Sequence, residues 1–62
     1  MNREDLVIGK RYWVPSGYGK PMRKKLTSFS TTSDIIYFNG VIARLPEEVF
    51  ETKKECQKHI NQ

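Results

Sequence analysis

The chain has 62 residues and a formal net charge of +4, with 11 lysines and arginines against 7 aspartates and glutamates. A domain this short has a small core, which alone rarely supplies more than about 3–5 kcal/mol of stability. Its single cysteine excludes an intrachain disulfide and indicates a reducing compartment. No apolar run approaches the length of a membrane span or a secretory signal, so we predict a cytoplasmic protein that does not bind membranes.

We predict one folded domain over residues 6–62, preceded by a polar, frayed segment at residues 1–5. The strands are expected within residues 6–50, and a short helix is expected over about residues 53–61. No repeat or low-complexity tract divides the chain, so these elements form a single unit.

The first predicted strand ends at Pro15, because proline has no N–H to donate to a ladder. Within it, Tyr12 and Val14 alternate with Arg11 and Trp13, which predicts two different faces. A small domain has few other large side chains, so at least one of the two rings is expected in the core.

A loop over residues 16–21 follows, and a second strand is predicted over residues 22–29. Tyr18 lies between two glycines of the loop, where an exposed contact residue and a ring folded back on the domain are equally consistent with the sequence. Strict alternation divides the second strand into two faces, with Met22, Lys24, Leu26 and Ser28 on one and Arg23, Lys25, Thr27 and Phe29 on the other.

Asn39-Gly40 is the clearest local pattern, because both residues tolerate the positive φ of a type I′ turn. The flanking apolar runs predict strands over residues 35–38 and 41–45. A two-residue turn pairs Phe38 with Val41, Tyr37 with Ile42 and Ile36 with Ala43. This register places one apolar set on one face: Ile36, Phe38, Val41, Ala43 and Leu45. The other face is also largely apolar, so a curled barrel or a docked helix must cover it.

The terminal helix is predicted from a capping box, with Thr52 as N-cap and Glu55 three residues later. Cys56 and Ile60 then share one stripe, through which so short a helix must dock. The preceding residues 49–50 either add a short strand or fill the core.

These elements predict a mostly β fold of the α+β class, with about four or five antiparallel strands in a small barrel or curled sheet and a short C-terminal α-helix. Residues 7–15 and the loop Gly17-Tyr18-Gly19 resemble the opening strand and first long loop of small SH3-like barrels, the group that includes KOW and Tudor modules. A departure from the KOW pattern at residues 21–25 limits the resemblance to the wider SH3-like class. In size, the chain resembles the small accessory proteins that phages encode, which would place it in a host cytoplasm.

Positive charge is concentrated in the first half of the chain. From Leu6 to Ser33 there are six basic residues and no acidic one, whereas from Asp34 onward there are five acidic and four basic residues. Cations attract phosphates, and rings offer stacking surfaces to bases. We therefore predict a nucleic-acid-binding face, for DNA or RNA, made of Arg11, Trp13, Tyr18, Lys20, Arg23, Lys24 and Lys25. The competing interpretation is that the rings are core residues and the lysines form a solvated edge.

A second hypothesis is a protein-interaction module or inhibitor, such as a phage effector, that binds an acidic or nucleic-acid-binding protein through its polarised charge. Under either hypothesis we expect a monomer or weak homodimer. Cys56 and His59 have the spacing of half a zinc site, but the chain has no other cysteine or histidine. No third residue orients them as a nucleophile and base. We therefore predict no catalytic residue, metal or cofactor.

Overall fold

Four antiparallel strands and a C-terminal helix build the protein, and the computed structural model describes residues 1–62. The helices and strands are β1 (Arg11–Pro15), β2 (Pro21–Phe29), β3 (Ile36–Phe38), β4 (Ile42–Arg44) and α1 (Lys53–Ile60), with short 3-10 turns at Arg3–Asp5 and Pro46–Glu48. The strands pair in the order β1-β2-β3-β4, and β1 does not pair with β4, so the sheet is unclosed. The α+β class, the antiparallel sheet and the terminal helix are confirmed, while the SH3-like barrel stays a prediction. No helix has the length and apolar character needed to cross a membrane.

The core lies on one face of the sheet, here called the inner face. On β1, Tyr12 and Val14 are fully buried, whereas Arg11 is exposed and Trp13 is half-buried, as the alternation predicts. The Tyr12 hydroxyl accepts a hydrogen bond from the Val7 N–H at 2.9 Å, which satisfies the polar end of this buried ring. The buried side chains of the core cluster are Leu6, Tyr12, Val14, Leu26, Ile36, Phe38 and Val49.

A bulge in β2 breaks the strict alternation predicted for that strand. The register with β3 shifts between Leu26 and Ser28, so Phe29 packs against the core instead of lying on the opposite face. Thr27 stands at the bulge, where its hydroxyl donates to the Tyr37 carbonyl at 3.1 Å and accepts from the Gly40 N–H at 3.0 Å. The sequence-based faces of β2 are therefore correct before Thr27 and wrong after it.

The β3–β4 turn has the predicted dihedral angles but a different register. Asn39 and Gly40 have φ values of 52° and 79°, and the Val41 N–H donates to the Phe38 carbonyl at 3.1 Å. The ladder nevertheless pairs Phe38 with Ile42, so the loop has three residues and the predicted register is wrong by one. Ile42 packs against the core, while Val41 is 82% exposed.

The bulge in β2 explains this register. The Gly40 N–H bonds to the Thr27 hydroxyl, and the Asn39 N–H bonds to the Lys25 carbonyl at 2.9 Å. These bonds hold the turn against β2 and leave Val41 outside the ladder. Since a one-residue slip moves every side chain to the other face, the faces predicted for Val41, Ala43 and Leu45 are also reversed.

Arg44 links the first and last strands of the sheet. Its Nε and Nη2 atoms donate to the Pro15 carbonyl at 3.0 and 2.8 Å, so one guanidinium joins β4 to the end of β1. Arg44 pairs directly with Ile36 and therefore extends from the same face as this core residue. The sheet is curled enough for a single side chain to cross its opening.

The predicted frayed segment at residues 1–5 contacts the domain at both ends. The Met1 amino group donates to the Pro46 and Val49 carbonyls at 3.0 and 3.1 Å. Arg3 donates to the Ser30 carbonyl at 3.0 Å, and its guanidinium lies 5.1 Å from the centre of the Phe29 ring. Met1 and Arg3 therefore both contact the domain, and the fraying of residues 1–5 stays a prediction.

Helix α1 begins at the predicted N-cap. The Thr52 hydroxyl accepts from the Glu55 N–H at 3.2 Å and donates to the Glu55 carboxylate at 2.9 Å. The cap is thus confirmed, although the carboxylate bonds the hydroxyl instead of the backbone N–H of a full capping box. Cys56 is fully buried and Ile60 half-buried, which confirms the predicted docking stripe.

The helix packs at Trp13 on part of the face of β1 and β2 opposite the core, called the outer face, and leaves Arg11, Arg23 and Lys25 exposed there. Phe50 pairs with Trp13 through two backbone hydrogen bonds of 2.8 and 2.9 Å, so their side chains share this face. Lys53 Nζ lies 6.0 Å from the centre of the Trp13 ring, and the His59 ring lies 5.3 Å from the Phe50 ring. Both ends of α1 therefore rest on outer-face rings, and β1 and β2 lie between two packed layers.

Candidate nucleic-acid interface

The β1–β2 hairpin presents three basic residues on its outer face. The ladder pairs Arg11 with Lys25 and Trp13 with Arg23, and directly opposite residues share a face. Arg11, Arg23 and Lys25 are exposed. The alternation that buries Tyr12 thus gathers three of the predicted site residues around Trp13.

These cations have no acidic partner. The structure contains one salt bridge, between Lys10 Nζ and Glu51 Oε1 at 3.6 Å, and it involves none of the three. Arg11 and Lys25 are instead a like-charge pair directly opposite each other, an arrangement that destabilises a sheet. The charge of the outer face is therefore not used within the fold and is available to an anion.

Lys24 does not belong to this surface. It pairs with Tyr12, so it lies on the inner face, and it is half-buried. The sequence groups Lys24 with its neighbours Arg23 and Lys25, but the pleat of β2 separates it from them.

The loop at the end of the hairpin presents Tyr18 to solvent. Its side chain is 94% exposed. The Ser16 hydroxyl accepts from the N–H groups of Tyr18 and Lys20 at 3.3 and 3.4 Å, and Gly19 has a φ of 74° that favours glycine. The loop is thus bonded across its base while its aromatic ring and the exposed Lys20 remain free for contact.

The exposed residues Arg11, Arg23 and Lys25 and the Tyr18 loop form a strip along the outer face, which runs the length of β1. Four residue steps of a strand span about 13 Å, and the Tyr18 loop extends the strip further. Cations that contact phosphates and a ring that stacks on a base are the elements with which proteins bind single strands.

Trp13 has a packing role in addition to its position on this strip. It is half-buried, its neighbour across the backbone bridge is Phe50, and Lys53 lies over its ring. Of the two rings considered from sequence, Tyr12 is the core residue and Trp13 is packed beneath the start of α1. Tyr18 is therefore the ring with a fully accessible face.

Cys56 and His59, which have the spacing of half a zinc site, both pack against the rest of the fold. The Cys56 thiol is fully buried, and burial raises its pKa, which disfavours the thiolate that nucleophiles and metal ligands require. The imidazole of His59 packs against Phe50. No group of three histidine, cysteine, aspartate or glutamate side chains is placed to hold a metal ion.

Sequence reasoning missed the three lysines of α1, because it counted them in the half with balanced charge. Lys53, Lys54 and Lys58 are exposed on the helix that packs on the outer face. The one acidic residue of α1, Glu55, is bonded to the Thr52 hydroxyl. The capping box was visible in the sequence and already indicated that Glu55 has a structural role.

Comparison with known proteins adds no functional assignment. The chain matches no protein-family model, and no curated protein or solved structure is significantly similar to it.

Proposed function

We propose that this protein is a non-catalytic module that binds single-stranded nucleic acid along the outer face of the β1–β2 hairpin. Arg11, Arg23 and Lys25 contact phosphates, and Tyr18, with Lys20 beside it, stacks on a base at the end of the strip. The observation that carries the proposal is the cross-strand pair of like charges, Arg11 and Lys25, without an acidic partner. A bound polyanion removes this repulsion, so binding compensates a cost that the free fold carries.

The sharpest test compares three adjacent residues of β2. Arg23→Ala and Lys25→Ala each remove one phosphate contact, and since each contact contributes about 0.7 to the salt slope of single-strand binding, affinity should fall about 5-fold at 0.1 M salt. Lys24→Ala is the matched control, because it removes the same charge from the inner face. Fluorescence titration of a labelled oligonucleotide at several salt concentrations measures both quantities.

Two results would contradict this proposal. Equal losses in all three variants would mean attraction to net charge instead of to the outer face. No binding of single-stranded DNA or RNA by the unaltered protein at low salt would exclude the proposed single-strand binding.

Tyr18 tests the stacking contact separately. Tyr18→Ala should cost about 1–3 kcal/mol of single-strand affinity, because a ring that stacks on a base is lost. Tyr18→Phe keeps the ring and should bind like the unaltered protein. Since the side chain is almost fully exposed, neither change should alter the unfolding transition.

A second candidate function is a protein-interaction module, and exposed aliphatic side chains favour it. Val7, Ile8 and Val41 are 56%, 57% and 82% exposed. Their two turns are bonded to adjacent carbonyls of β2, through Gly9 N to Leu26 O at 2.8 Å and Asn39 N to Lys25 O at 2.9 Å. One end of the sheet therefore combines apolar side chains with the Arg11–Lys25 pair, which fits an acidic protein surface with an apolar centre.

A capture experiment separates the two candidates. For a protein partner, capture from lysate should survive nuclease treatment, and Ile8→Ser with Val41→Ser should abolish it. The same double variant should leave oligonucleotide binding unchanged if nucleic acid is the ligand. Capture that disappears with nuclease would count against the protein partner.

A further inference from the structure

Helix α1 places a second row of cations on the same side of the sheet as the outer-face arginines. Its contact with Trp13, through Lys53, and with Phe50, through His59, sets it over the outer face. Cys56 is buried toward the sheet, so the exposed stripe of the helix points away from it. That stripe carries the exposed Lys54, Lys58 and Asn61, with the half-buried Gln57 beside them.

The stripe is positively charged without internal compensation. Lys54 and Lys58 are four residues apart, so their side chains are neighbours on the helix surface, where like charges are destabilising. Between them, the Gln57 side chain donates to the Asn61 side chain at 3.0 Å, so the two amides bond each other and supply no negative charge.

Most of the nearby acids are engaged elsewhere. Glu55 accepts from the Thr52 hydroxyl at 2.9 Å, Glu51 is paired with Lys10 at 3.6 Å, and Glu48 accepts from the Leu45 N–H at 3.1 Å. Glu47 is exposed and has no such contact. None of these acids forms a salt bridge with Lys54 or Lys58, so the helix lysines have no acidic partner.

We propose that Lys54 and Lys58 extend the interface onto α1 and bind phosphates of the same nucleic-acid strand that contacts Arg23 and Lys25. This inference rests on the proposed function and adds a second element to it. The strand then crosses from the hairpin to the helix, and Lys53, which lies over Trp13, stands where the two rows meet.

The test is the salt dependence of oligonucleotide binding by the double variant Lys54→Ala, Lys58→Ala. Loss of two phosphate contacts should lower the log–log salt slope by about 1.4 and the affinity about 25-fold at 0.1 M salt. Lys54→Arg with Lys58→Arg keeps both charges and should restore slope and affinity. Because both side chains are exposed, circular dichroism should show an intact fold in each variant.

A matched control lowers the net charge by the same amount outside the proposed interface. Asn2→Asp with Thr31→Glu alters exposed residues that belong neither to the sheet nor to α1, and should leave the salt slope unchanged. A slope that does not change in the alanine variant, while Arg23→Ala still weakens binding, would overturn the helix contacts and leave the hairpin interface standing. Absence of binding by the unaltered protein would overturn both.

Discussion

Alternate residues of β1 and β2 lie on opposite faces of the hairpin, and the two faces affect stability in opposite ways. On the inner face, Tyr12 and Val14 are fully buried, and the polar end of Tyr12 is hydrogen-bonded. On the outer face, Arg11 stands opposite Lys25, and neither residue has a salt-bridge partner. The inner face stabilises the fold by burying apolar side chains, whereas the like-charge pair on the outer face destabilises it.

This difference separates residues that hold the fold from residues available for binding. A small domain has little stability to spare, so an uncompensated like-charge pair is a cost that selection for folding alone would remove. Local departures from the rules of folding concentrate at functional sites. This distinction would be wrong if substitutions on the two faces changed the free energy of unfolding equally.

The largest effect is expected on the inner face. Phe38→Ala removes a fully buried ring and should cost about 3–5 kcal/mol, comparable to the whole stability of a domain of this size. Arg23→Ala on the outer face should change the free energy of unfolding by less than about 0.5 kcal/mol. Urea unfolding followed by circular dichroism measures both, and similar losses in the two variants would remove the distinction between the faces.

The turn that joins β3 to β4 gives the next largest effect. Gly40 has a φ of 79°, and no atom lies within 4 Å of a Cβ added there, so Gly40→Val meets only a backbone penalty of about 1–3 kcal/mol. Gly17→Val is the control, since its surroundings are equally open and its φ is not positive. Thermal unfolding should separate the two variants, and an equal loss would mean that the positive φ of Gly40 is not the source of the penalty.

This turn also shows how far the sequence determines the fold. Asn39-Gly40 identified the turn and its dihedral angles, because both depend on local backbone preference. The register depended on the Thr27 hydroxyl, which is distant in sequence and reaches Gly40 only because β2 is bulged. A tertiary hydrogen bond therefore decided which of Val41 and Ile42 faces the core.

The cap of α1 is expected to have a smaller effect. Thr52→Ala leaves the Glu55 N–H without its partner and should cost about 1 kcal/mol, whereas Thr52→Ser keeps the hydroxyl and most of the stability. Since α1 packs on the outer face through Lys53 and His59, loss of the cap should also raise the reactivity of the buried Cys56 thiol. Thiol-reagent kinetics at neutral pH measure that opening, and unchanged rates would mean that the cap does not hold the helix in place.

The candidate site was only partly predictable for the same reason as the register. Alternation in β1 follows from local sequence, whereas the sequence left the exposure of Tyr18 open and the structure decided it. The separation of Lys24 from Lys25 required the pairing of β2 with β1. The contribution of the α1 lysines required knowing that Glu51 is paired with Lys10, a contact between residues far apart in the chain.

The substitution with the smallest expected effect on stability, Lys25→Glu, gives the clearest test, because it should raise stability and lower binding. Lys25→Glu converts the Arg11–Lys25 pair into an attractive cross-strand pair, which should raise the free energy of unfolding by about 0.2–1 kcal/mol at low salt, with a smaller gain at high salt. The same change should weaken oligonucleotide binding more than Lys25→Ala does, because a cation is replaced by an anion. Lys20→Glu is the control, since it lies in the hairpin loop outside the ladder and should reduce affinity without stabilising the fold. Urea unfolding and oligonucleotide titration of the same samples measure both quantities, and a Lys25→Glu variant that is less stable than the unaltered protein would show that Arg11 and Lys25 do not repel each other across the outer face.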